Sequence, residues 1–144
     1  MITSKNLIFF KPKPSTSEGA FLLDTGISAG FPIPADDFEA TKVSLDEELI
    51  KNKNATFFAK VKGQSMIGAG LNDNDLLVID RSLQPENNKI AVCFIDGDFT
   101  VKRLKVNAEG IWLQPENPNY SIIKITEEND FMIWGIVTNV IKKL

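Results

Sequence analysis

From Thr56 to Val140 the chain is a succession of short apolar runs separated by clusters of turn-forming residues, a rhythm that suits strands and leaves no room for a long helix. Thr56–Lys62 alternates, whereas Leu76–Ile79 and Ile90–Ile95 are continuous apolar runs of the kind found in buried strands. Asp96-Gly97-Asp98 is a tight-turn signal that joins Ile90–Ile95 to Phe99–Val106 as a hairpin. Ile111–Leu113 and Phe131–Val140 supply two further strands. Turns are marked by Asn72-Asp73-Asn74-Asp75, Pro85-Glu86-Asn87-Asn88 and Pro115-Glu116-Asn117-Pro118. In the last strand both alternating sets are apolar (Phe131, Ile133, Val137 and Met132, Trp134, Ile136, Val140), which fits a strand inside the core or one at a subunit interface.

The first third differs. Pro12, Pro14, Pro32 and Pro34 fall there with Ser15-Thr16-Ser17-Glu18-Gly19, the composition of an arm rather than a packed element. Within that arm, Leu7–Phe10 and Phe21–Leu23 have the apolar content of short strands lying on a surface. Ser44 followed by Glu47 forms a capping-box signature, and Leu45 with Leu49 makes one apolar stripe, so a helix of about two turns is predicted there. At 144 residues, the expectation is a mainly β fold with one or two short helices and an extended N-terminal arm.

The chain contains no histidine, which excludes Ser-His-Asp and Cys-His hydrolases, HExxH metalloproteases and His-ligated metal sites. One cysteine, Cys93, excludes intrachain disulfides, CxxC redox chemistry and thiolate zinc sites. Asp36-Asp37 and Glu127-Glu128 lack further ligands at suitable spacing and read as solvated acidic pairs, so neither metal nor cofactor is expected. A net charge of −3 argues against nonspecific binding to nucleic-acid phosphates. Leu7–Phe10 is too short for a signal-peptide core, and the 11-residue stretch Phe131–Ile141, interrupted by Asn139, is too short for a membrane span. The expected location is the cytoplasm.

Any nucleophile must therefore be activated without imidazole. Gly63-Gln64-Ser65-Met66 and Ile67-Gly68-Ala69-Gly70 put glycines on both sides of a serine, allowing a sharp turn that brings N–H groups toward an incoming carbonyl. Lysine is the remaining amine that can serve as its base. In Phe99–Val106 the period of two places Lys102 on one face with Leu104 and Val106, while Arg103 and Lys105 point the other way. An amine on an apolar face is desolvated and loses basicity. The same residues also fit an ordinary turn serine and a lysine whose stem crosses the sheet with its head in water.

Four separated blocks resemble the self-cleaving serine–lysine peptidases of the LexA and UmuD group. Ala29-Gly30-Phe31-Pro32-Ile33-Pro34-Ala35-Asp36-Asp37-Phe38 resembles the cleavage region, and Val61-Lys62-Gly63-Gln64-Ser65-Met66 the nucleophile block. Asn72-Asp73-Asn74-Asp75-Leu76-Leu77-Val78 and Asp96-Gly97-Asp98-Phe99-Thr100-Val101-Lys102-Arg103-Leu104 resemble the next two, in order and with the family's spacing. The departures are Gln64 where aspartate is frequent, Asn74 at a turn position usually held by glycine, and Ala29 where some members have cysteine.

The resemblance implies a compact LexA/UmuD-like β domain over residues 30–144, with an arm of residues 1–29 removed by cleavage between Ala29 and Gly30. It implies Ser65 as nucleophile and Lys102 as base, with no cofactor or metal. It also implies promotion by a RecA–single-stranded-DNA filament, a processed homodimer, and partnership with a UmuC-like Y-family DNA polymerase in translesion synthesis. Leu7-Ile8-Phe9-Phe10 is similar to peptides that bind the polymerase sliding clamp, but reads first as a strand docked on the domain's own surface. The residues ahead of the cleavage block are too few for a helix-turn-helix domain, so direct sequence-specific DNA binding is not expected. The competing readings are a non-cleaving interaction module of the same fold and the core of a LexA- or phage-type repressor.

Overall fold

The computed structural model describes residues 2–3, 7–13, 20–23, 29–31 and 40–144. The chain divides into two compact units, one of Met1–Pro12 with Asn52–Leu144 and one of Lys13–Lys51.

The larger unit is built on one antiparallel sheet. Its strands are β1 (Ile2–Thr3), β2 (Leu7–Phe10), β5 (Thr56–Val61), β6 (Leu76–Asp80), β7 (Ile90–Ile95), β8 (Asp98–Asn107), β9 (Gly110–Gln114), β10 (Ile123–Lys124) and β11 (Phe131–Ile141). The sheet order is β1-β2-β5-β6-β11-β7-β8-β9-β10. The mainly β fold read from the sequence is the one observed. The β7–β8 hairpin pairs Ile95 with Asp98 across Asp96-Gly97, both with positive φ, as that dipeptide demands. Asn74, in the turn before β6, has φ 70 and takes the left-handed conformation open to asparagine.

Both faces of the sheet are packed. On one, Leu7, Phe9, Ala59, Val61, Met66, Leu71, Leu77, Ile79, Val92, Val101 and Trp134 form a core; on the other, Ala91, Cys93, Leu104, Leu113 and Ile136 form a second. β11 is apolar in both alternating sets because it serves both cores, Trp134 and Val137 packing in the first and Phe131, Ile133 and Ile136 in the second. Its register shifts between Ile133 and Gly135 and again between Val137 and Asn139. At Gly135 a Cβ would lie 2.6 Å from Ile79 Cγ2, so only glycine lets the strand approach its neighbour there.

One expectation is corrected. Val106 does not share the burial of Leu104; it is exposed, because β8 runs past the end of β7 to the turn of the β8–β9 hairpin, where Val106 pairs only with Ile111. Leu7–Phe10 is the docked strand that its apolar content suggested, and its Leu7 and Phe9 reach the core.

In the smaller unit, β3 (Ala20–Leu23) pairs with β4 (Ala40–Val43), Ala20 opposite Val43 and Leu23 opposite Ala40. The helix expected after Ser44 is a single five-residue turn, α1 (Leu45–Leu49), and the Ser44 side chain makes no capping hydrogen bond. None of its residues is buried and Leu45 is 68% exposed. With no apolar face to cover, so short a helix has little to extend it. The expected acidic pair Asp36-Asp37 lies outside the described residues.

Candidate active site

Ser65 follows β5 and Lys102 lies in β8, with β6, β11 and β7 between those strands in the sheet. Four strand spacings would separate them by about 19 Å in a flat sheet. Lys102 Nζ is 3.0 Å from Ser65 Oγ, so the sheet curls round its core to bring them together.

The lysine head is held by three oxygens. Nζ donates to Thr100 Oγ1 at 2.7 Å and to Val101 O at 3.1 Å, and Ser65 Oγ is its third partner. Thr100 shares the Lys102 face because it is two residues upstream in the same strand. Opposite Lys102 and Thr100 in the register are Ala91 and Cys93, both fully buried, with Leu104 beside them on the same face. Lys102 is 7% exposed, and this burial holds its amine below the usual lysine range. Burial acts oppositely on the Cys93 thiol, pushing it up to about 12, so the cysteine stays a protonated core group.

The serine turn is fastened from outside by the loop that follows β9. Glu116 N–H donates to Ser65 O at 2.9 Å, Gly68 N–H donates to Glu116 O at 2.7 Å, and Asn117 Nδ2 donates to Gln64 O at 2.9 Å. A Cβ on Gly68 would meet Glu116 O at 2.6 Å, so this glycine serves close backbone approach. Arg103, next to Lys102 but on the other face, forms an ion pair with Glu116. Lysine strand, Glu116 loop and serine turn thereby form a closed ring of contacts. Among the described residues, the N–H groups of Ser65 and Met66 have no acceptor. Ser65 and Lys102 face a cleft of about 100 Å³ whose walls include Val61, Met66, Leu71 and Tyr120.

Ala29 and Gly30 lie in the Lys13–Lys51 unit, exposed, in the segment that joins β3 to β4. Sequence reasoning missed Thr100, Asn117 and Tyr120. Thr100 was within reach of the period-two argument that selected Lys102. The Pro115–Pro118 cluster was read only as a turn, because which loop a turn touches is set by tertiary closure.

Comparison with known proteins agrees with this architecture. The protein is similar to Protein MucA of Salmonella typhimurium, 40% identical over 114 residues that cover 78% of this chain and 77% of MucA. It is 34% identical to Protein ImpA of the same species over 139 residues, 94% of each chain. The LexA repressor of Paracidovorax citrulli is 34% identical over 134 residues, 93% of this chain and 59% of the repressor. The family described as Peptidase S24-like matches residues 21–138, and with that match running through both Ser65 and Lys102 the chain belongs to the Peptidase S24-like family.

Proposed function

We propose that this chain is a self-cleaving serine peptidase in which Lys102 activates Ser65 to cut the bond between Ala29 and Gly30. The observation that carries the reading is the 3.0 Å contact between a buried lysine amine and a serine oxygen at a cleft. A neutral amine has two hydrogens and one lone pair. With the hydrogens on Thr100 Oγ1 and Val101 O, the lone pair is left for the Ser65 hydroxyl proton. The serine oxygen attacks the Ala29 carbonyl carbon, and the N–H groups of Ser65 and Met66 are available to the oxyanion. The Lys102 ammonium returns its proton to the Gly30 amine as the peptide bond breaks, leaving Ala29 as an acyl ester on Ser65. Water, deprotonated by the same amine, then hydrolyses the ester. A narrow cleft accounts for small residues on both sides of the bond.

The cellular role we propose is the one the resemblance implies, and similarity to MucA and ImpA supports that family reading. In it, a RecA–single-stranded-DNA filament promotes the cut, and the processed homodimer serves a UmuC-like polymerase in translesion synthesis. Met132, Val140 and Ile141, exposed on β11, offer apolar surface for the second copy. Contact with the sliding clamp through Leu7–Phe10 requires that strand to leave the sheet, since Leu7 and Phe9 are buried.

The test is incubation of the purified chain at alkaline pH with mass spectrometry of the products. A fragment beginning at Gly30, absent from Ser65→Ala, is expected. An intact chain after prolonged incubation, with and without a RecA filament, selects the non-cleaving interaction module.

A further inference from the structure

We propose that a cut between Ala29 and Gly30 does not free the N-terminal fragment: residues 1–29 remain as a non-covalent strand ligand of residues 30–144, and release is a separate, competitive event. The occasion for the cut rests on the function proposed above, whereas the physical claim concerns the severed chain however it is severed.

Two strand pairings span the cut. Ahead of it lie β2 and β3; behind it lie their partners β5 and β4. In the larger unit Leu7, Ile8, Phe9 and Phe10 pair with Val61, Lys60, Ala59 and Phe58. Phe9 is 2% exposed, with its ring 4.7 Å from Trp134 and 5.1 Å from Phe99, centre to centre. Lys11 closes the same strand onto β5: Nζ donates to Lys53 O, Asn54 O and Thr56 O at 3.1–3.3 Å and stands 4.3 Å from the Phe57 ring centre. In the smaller unit Ala20–Leu23 pairs residue for residue with Ala40–Val43.

A hydrolysed peptide bond removes none of these contacts. What it removes is the tether that made rebinding intramolecular, so a strand that could not be displaced before the cut becomes exchangeable after it. The vacated edge of β5 would accept an extended segment with an apolar residue, an aromatic residue and a cation at alternate positions, the pattern of Leu7, Phe9 and Lys11. A second N-terminal fragment of this chain fits it best.

The experiment uses the full chain carrying Ser65→Ala, so that self-cleavage plays no part, with a site for a sequence-specific protease inserted beside Gly30. Trp112→Phe leaves Trp134 as the reporter of Phe9 occupancy. After complete cutting, native mass spectrometry should find one complex heavier than the uncut chain by one water, with Trp134 emission unchanged. A labelled synthetic peptide of residues 1–29 should then exchange into the cut protein and not into the uncut one, and its Phe9→Ser version should exchange at least tenfold more weakly. Separation of the fragment on cutting overturns the proposal, whether the remainder stays in solution or precipitates, as does equal exchange of both peptides. The peptide arm needs no variant of the folded chain, so a Phe9→Ser chain that fails to fold does not obscure the result. Retention in the severed protein together with failure of the wild-type chain to self-cleave would sink the peptidase reading and leave this one standing.

Discussion

A lysine works as a base only while neutral, and water keeps it charged until about pH 10.4. Burial among Ala91, Cys93 and Leu104 shifts Lys102 toward neutrality, so self-cleavage should rise with pH and level off once the lowered value is passed. Lys102→Arg, charged at every accessible pH, should give no Gly30-initiated fragment by mass spectrometry between pH 6 and 10. The same burial carries a cost in stability. A base whose folded value lies below its unfolded one opposes folding fully below the folded value, and the opposition vanishes above the unfolded value. The melting temperature of wild type relative to Lys102→Met should therefore climb as pH is raised from 7 toward 10; parallel curves would show that the amine is not desolvated. Ser65→Ala removes one oxygen at the cleft and no core volume, so cleavage should disappear while the melting temperature changes by no more than about 2 °C, as calorimetry can check.

At the scale of elements, the Ser65–Lys102 geometry depends on how the Glu116 loop grips the serine turn. Gly68→Ala drives a Cβ into Glu116 O, and displacement of the turn by up to about 1 Å should slow self-cleavage by up to about 10²-fold. Its stability should fall by about 1–3 kcal/mol in urea titration. Asn117→Ala, which strands the Gln64 carbonyl and the Asn119 N–H that its side chain satisfies, should cost about 1–3 kcal/mol and slow cleavage as well. Legibility in the sequence divides along the same line. Strands, the Asp96-Gly97 hairpin and the left-handed Asn74 were readable because period and turn chemistry are local properties, whereas those properties made Ser65 and Lys102 only candidates and the resemblance over four separated blocks singled them out. The burial of Leu7 and Phe9 was not readable, since flanking prolines describe an arm, and only the Phe57, Phe99 and Trp134 surface makes that strand a core element. Ser44 and Glu47 showed the reverse failure: a local signal for a longer helix with nothing to pack against.

Across the whole molecule, the C-terminal residues are tied back to the Asn72–Asp75 turn by the Lys142–Asp75 ion pair. Burial pushes the Asp75 carboxyl up, but Lys142 and the Asn72 N–H outweigh it and hold it below the usual range. That stabilisation is present above about pH 3.9 and is lost as pH falls through the lower folded value. Asp75→Asn should therefore melt earlier than wild type at pH 7, with the two curves converging in acid. The sheet order has another consequence, one of timing. Ribosomes complete β5, β6, β7 and β8 before they make β11, yet β11 sits between β6 and β7. A chain paused at Asp130 holds Ser65 and Lys102 on two half-sheets that β11 does not yet join, with the Glu116 loop as the link between them. Stalled nascent chains of that length should yield no cleaved product, and chains extended past Ile141 and clear of the exit tunnel should regain it. Threading the last strand into the middle of the sheet would thus act as a clock that holds the proposed self-cleavage silent during synthesis.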